Sequence, residues 1–206
     1  MTAQIEDHII IEGTEYQVSK TSHGLMFNPK KAFGVEGAMS HTGCWRGFQS
    51  IYTIKDTQLV VQTLKINIAN AEYIDGSYVE KPSPIIEGVK SVPSPYEEGF
   101  RNIYEGIDYP VFYSGGVIAH DDYLGAFNVR FYPFPLSDYG VIIELIFEDG
   151  KLVHFYDHSA AVAQFRKRFP PLEEGGRAPT EEEARKFNEK TFAFEYKCHI
   201  PFGLEL

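Results

Sequence analysis

Apolar and polar residues alternate along this chain in short runs, broken by turn-forming residues. That is the pattern of strands with one wet face. Ile9-Ile10-Ile11, Glu12-Gly13-Thr14 and Tyr16-Gln17-Val18 predict an opening hairpin. Phe48 to Ile54 and Gln58 to Ile66, joined by Lys55-Asp56-Thr57, predict a second. Val141 to Phe147 and Leu152-Val153, joined by Glu148-Asp149-Gly150-Lys151, predict a third. Asp-Gly supplies the positive φ angles of a tight hairpin turn. Tyr52 to Val60 and Leu145 to Val153 run through the same order of residue types, an order that internal duplication or any two hairpins would give.

Further strands are predicted over Val111 to Ala119, Phe127 to Tyr132 and Thr191 to Ile200. In the last, Phe192, Phe194, Tyr196, Cys198 and Ile200 alternate with Thr191, Ala193, Glu195, Lys197 and His199, which makes Cys198 a core residue. Residues 21–43 lack a period and read as a long loop. Residues 82–95 carry four prolines, which remove backbone donors and forbid a central strand. Ile85, Ile86 and Val89 make this stretch too apolar for a free linker, so it reads as a surface excursion and not as a domain boundary.

The period changes near the C-terminus. Ala161, Val162, Phe165 and Phe169 form a helical stripe, with Asp157 or Ser159 as cap and Pro170-Pro171 as stop. Thr180-x-x-Glu183 after Pro179 is a capping box for a second helix, with Ala184 and Phe187 turned inward. The expectation is therefore one α+β domain over 1–206, predominantly antiparallel β-sheet built of meandering hairpins, with barrel closure as a variant and two helices near the C-terminus.

Composition sharpens this picture. Tyr, Phe and Trp make up 15% of the chain, and aromatics favour the pleated, half-buried surface of a strand. The formal net charge is −10, which supplies no basic face for phosphate and argues against nucleic acid. It favours a basic protein partner instead. The acidic N-terminus has no signal-peptide pattern and no run is long enough to span a bilayer, so the expectation is a cytoplasmic protein with no membrane partner. Two cysteines 154 positions apart make neither a disulfide framework nor a zinc pattern.

Three clusters could carry chemistry. In Gly43-Cys44-Trp45-Arg46-Gly47, Cys44 is a potential nucleophile with His41 as base. Alternatively, Trp45 anchors the sheet, Arg46 pairs with an acid, and the exposed parts of both form a binding surface. His154, Asp157 and His158 are metal-capable, although Asp157 also serves as a helix cap. His120-Asp121-Asp122 reads as an acid–base or binding cluster, or as a loop tip whose carboxylates bond local backbone. No nucleotide-binding or nucleophile-elbow motif is present, and no cofactor is expected.

Cys44-Trp45-Arg46-Gly47-Phe48, with Tyr52-x-Ile54-x-Asp56-x-x-Leu59 after it, resembles a motif of small uncharacterised bacterial proteins. Tyr113-x-Gly115-Gly116-x-Ile118 and Glu144-Leu145-x-Phe147-x-Asp149-Gly150-Lys151-Leu152-Val153 are similar to their second half. The resemblance implies a bacterial, cytosolic, β-rich protein and carries no activity. The expected function is a non-enzymatic interaction module, neutralising a partner as immunity proteins do. The alternative is a small-molecule binder or enzyme on a concave aromatic sheet face, with His120 and Asp121 or His154 and His158 as polar groups. The binding residues expected are Trp45, Arg46, His120 and Asp121.

Overall fold

A computed structural model describes residues 4–39, 41–68, 71–75, 77–80, 82–93, 99–124, 136–169, 176–177 and 179–196. It begins with the predicted hairpin, β1 (Asp7–Ile11) and β2 (Thr14–Thr21). The segment read as a long loop then holds a short helix, α1 (Pro29–Phe33). Asn28 accepts from the Lys30 and Lys31 backbone at its start, Pro29 pre-sets φ, and Gly34 ends it at φ 69°. Five residues are too few to show a helical period.

The second predicted hairpin is β3 (Phe48–Lys55) and β4 (Gln58–Ile66). A small separate hairpin follows, β5 (Ala71–Ile74) and β6 (Ser77–Glu80). The proline-rich stretch holds β7, only Val92–Pro93, at the outer edge of β8 (Asn102–Pro110). Sequence pattern missed β8 because Gly106 and Asp108 turn to positive φ (70° and 53°) and break its alternation. The expected strand over Val111 to Ala119 is instead an irregular 111–114 stretch followed by β9 (Gly115–Tyr123). His120, Asp121 and Asp122 therefore lie within a strand, not on a loop tip. Phe127 to Tyr132, Cys198 and His199 lie outside the described residues.

A single 3-10 turn (Leu136–Asp138) leads into β10 (Tyr139–Glu148), which pairs with β11 (Lys151–Asp157). Helix α2 (Ser159–Lys167) follows, its first free amide capped by Asp157 Oδ1 at 2.8 Å. Helix α3 (Glu181–Thr191) opens on the expected Thr180–Glu183 capping box. The strand expected over Thr191 to Ile200 does not form in its described part. Thr191 ends α3, and 192–196 is an irregular segment laid across the sheet. Period-two alternation there reflects docking of alternate side chains rather than a ladder.

Nine strands make one sheet in the order β11-β10-β9-β2-β1-β3-β4-β8-β7, antiparallel except for β1 beside β3. The sheet curls into a ring that touches itself at one residue pair, Lys151 opposite Gln58, and so is not a barrel. Reciprocal hydrogen bonds clasp the two hairpin turns there: Leu59 N to Gly150 O and Leu152 N to Thr57 O, both 2.8 Å. Ile9, Tyr52, Leu59, Leu64, Tyr104, Leu145 and Phe147 fill the interior. A second apolar layer, Ile118, Ile142, Val162 and Phe192, lies between the outer face of β9 and β10 and the α2 side. Being covered on both faces explains why Ile142 to Phe147 is buried without alternation.

Candidate functional site

β11 forms one open edge of the ring; the other is the β8 side, where β7 covers only Asn102 and Ile103. Past Lys151, β11 pairs only with β10 among the described residues. Its register sets Tyr156 opposite Glu144 and Phe155 opposite Leu145, and directly opposed residues share a face. Phe155 therefore sits on the inner face at the mouth of the ring, and His154 and Tyr156 on the outer. Val153, Phe155 and Tyr156 remain 39%, 48% and 41% exposed. On the outer face His154, Tyr156 and His158 form a stacked ladder, with successive centroids 5.8 and 5.9 Å apart.

Beneath this ladder lies Glu144, the one carboxylate in an apolar run and fully buried. His158 Nε2 lies 2.9 Å from its Oε2. Tyr196 Oη donates to Oε1 at 2.7 Å and the Ala193 amide donates to the same oxygen at 2.9 Å. Burial, reinforced by the bond to this carboxylate, pushes the Tyr196 phenol up and keeps it protonated as a donor. Gly116 makes the approach possible, since a Cβ there would lie 2.0 Å from Tyr196 Oη. Of the three groups that converge on this carboxylate, the Ala193 amide and the Tyr196 hydroxyl pin the 192–196 segment to the sheet. A lone glutamate amid Val141 to Phe147 was the available signal for this cluster.

A further open groove separates α2 from α3, with His158 at one end. The helices run antiparallel: His158 meets Phe192 edge-on at 4.8 Å, while Phe165 stacks on Phe187 at 4.3 Å.

The residues singled out from sequence are dispersed. Cys44 is 1% exposed, donates from Sγ to Phe48 O, and burial raises its pKa, the reverse of an activated nucleophile. His41 Nδ1 accepts from the Gly43 backbone. Arg46 forks onto Asp7 (2.6 and 3.0 Å) and also donates to Phe48 O, so its charge is used internally. Trp45 keeps 39% of its surface exposed while its amide donates to Gln4. His120 is buried, stacked on Tyr139 at 3.6 Å, with Nε2 3.2 Å from Glu6 but out of line for a hydrogen bond. Asp121 is exposed.

His154, Asp157 and His158 do not converge. A strand advances ~3.3 Å per residue, which holds positions four apart roughly 13 Å from each other. Among the described residues no three His, Cys, Asp or Glu side chains are grouped to hold a metal. Nor does a hydrogen bond join any two of Cys44, His120, His154 and His158 among them. No helix among the described residues is long and apolar enough to cross a membrane.

The fold and this edge define a curled β-sheet protein whose aromatic β11 has an outer edge that no described strand covers past Lys151. No protein-family model, curated protein or solved structure matches the chain.

Proposed function

We propose that this chain is a protein-binding module that receives a partner strand along the open edge of β11. One observation carries the reading: Val153, Phe155 and Tyr156 stay substantially exposed on a strand whose outer edge no described strand covers past Lys151. Unpaired edges with apolar side chains are aggregation hazards, normally blunted by lysines, prolines or bulges, and their retention favours a partner. Strand addition gives such a partner main-chain hydrogen bonds, with alternate side chains supplying specificity. Phe155 and Tyr156 face opposite sides of the sheet, so an added strand is gripped on both. The net charge of −10 favours a basic partner, and neutralisation of a toxic one is the biological form of the reading.

The test uses the product of the adjacent gene, expressed alone and together with this chain. Toxicity relieved by co-expression, tight association in vitro and slowed hydrogen exchange of β11 amides in the complex are the expected results. Phe155→Lys should weaken that association by tenfold or more, about 1.4 kcal/mol, while leaving the melting temperature nearly unchanged. Equal affinity in the folded variant removes the β11 edge from the reading. Absence of both toxicity and association ends the neutralising role.

A further inference from the structure

We propose that the groove between α2 and α3 binds a small organic carboxylate with a flat apolar body. The helical repeat places Phe165 on α2 and Phe187 on α3; their rings stack at 4.3 Å with 23° between planes, Phe165 buried and the half-buried Phe187 forming the apolar base of the groove. Its volume is about 680 Å³, within the ~300–1,000 Å³ of typical small-molecule sites.

Charge selects the ligand. Three cationic side chains, Arg168, Lys186 and Lys190, line the groove against one carboxylate, Glu183. That carboxylate is already neutralised: Arg177 grips it with two 2.7 Å bonds, and the Thr180 amide adds a third at 2.9 Å. These bonds hold Glu183 down to about 2, so it stays charged and occupied. Lys186 is taken by Glu182 at 2.7 Å. Arg168 and Lys190 meet no carboxylate among the described residues; the Arg168 guanidinium rests over the Phe165 and Phe169 rings.

In a chain with 29 acidic and 19 basic residues, an apolar base flanked by two cations that meet no carboxylate among the described residues stands against the overall charge. Antiparallel packing sends Arg168 to one end and Lys190, beside His158, to the other. A carboxylate can therefore be met in either orientation while its hydrocarbon body covers the base. The helix C-termini alone would favour these cations, but would not place an apolar base between them.

The probe is 1-naphthoate, titrated into the full chain and followed by amide chemical shifts, with 1-naphthylmethanol as the neutral analogue. Saturable shifts confined to α2 and α3 are expected, weakening with salt. The double variant Arg168→Gln/Lys190→Gln should lose about fivefold in affinity, as two partly exposed charge contacts imply. On the unaltered chain the neutral analogue should bind weaker by a similar factor. Equal binding of the alcohol, unchanged affinity in the folded double variant, or the absence of saturable shifts each overturns the assignment. None of these outcomes depends on the β11 edge.

Discussion

Asp138 sits in the turn before β10 with none of its surface exposed and, among the described residues, no hydrogen-bond partner on either carboxylate oxygen. Burial raises its pKa from 3.8 to about 6, an effect the nearby Arg166 guanidinium partly offsets. A carboxyl whose pKa is higher folded than unfolded holds its proton more tightly in the folded state. It therefore costs stability as pH rises from 3.8 towards 6, and the full cost, up to about 3 kcal/mol, is present above that window. Asp138→Asn should be more stable than the unaltered protein by about 1–2 kcal/mol at neutral pH and lose that advantage in acid. Urea unfolding across the window is the measurement, and parallel pH profiles for the two proteins would refute the account. Arg46 shows the opposite economy at the same scale. The sequence predicts an acid as its partner, and only the fold shows that the acid is Asp7, 39 positions away.

Elements differ in how openly the sequence declares them. The Thr180–Glu183 capping box is local, and so are the three hairpins whose turns place both central residues at positive φ: Glu12-Gly13, Asp56-Thr57 and Asp149-Gly150. Such signals need only a few neighbouring residues and were legible. Thr191 to Ile200 read as the cleanest strand in the chain, but periodicity reports which side chains are buried and not what buries them. Phe192 and Tyr196 are held by the His158 ring and the Glu144 carboxylate, with no strand paired to them among the described residues. Gly116→Ala tests this docking. Its Cβ would press on Tyr196 Oη and, at 2.8 Å, on Phe194, so the variant should lose about 1–3 kcal/mol. Exchange of the Ala193 amide should accelerate more than exchange within β1 and β2; a uniform change would argue against a docked segment.

Across the whole molecule the ring closes through two turns that share an order of residue types. In that alignment Thr57 matches Gly150 and Leu59 matches Leu152, and these are the residues that bond each other reciprocally. The clasp is locally two-fold symmetric, although its halves differ in strain. Gly150 takes φ 77° freely, whereas Thr57 is β-branched and sits at φ 72°, where such residues are rare. Thr57→Gly should relieve that strain and stabilise the chain by about 0.5–1 kcal/mol, read from thermal or urea unfolding. A loss of stability would mean that the threonine side chain itself supports the closure. Replacing Gly150 is expected to do the reverse, because a Cβ there would lie 2.1 Å from Val111 O.

Alternation, turn chemistry and capping are short-range properties, and the sequence alone determined them: a β-rich chain of hairpins with two C-terminal helices. Which strand edge was left open, which carboxylate was buried beneath which donors, and where two helices left a cationic groove were decided by the tertiary fold. Those outcomes depend on contacts between residues tens of positions apart, as Glu144 with Tyr196 shows at a separation of 52. No local pattern along the chain records such a meeting.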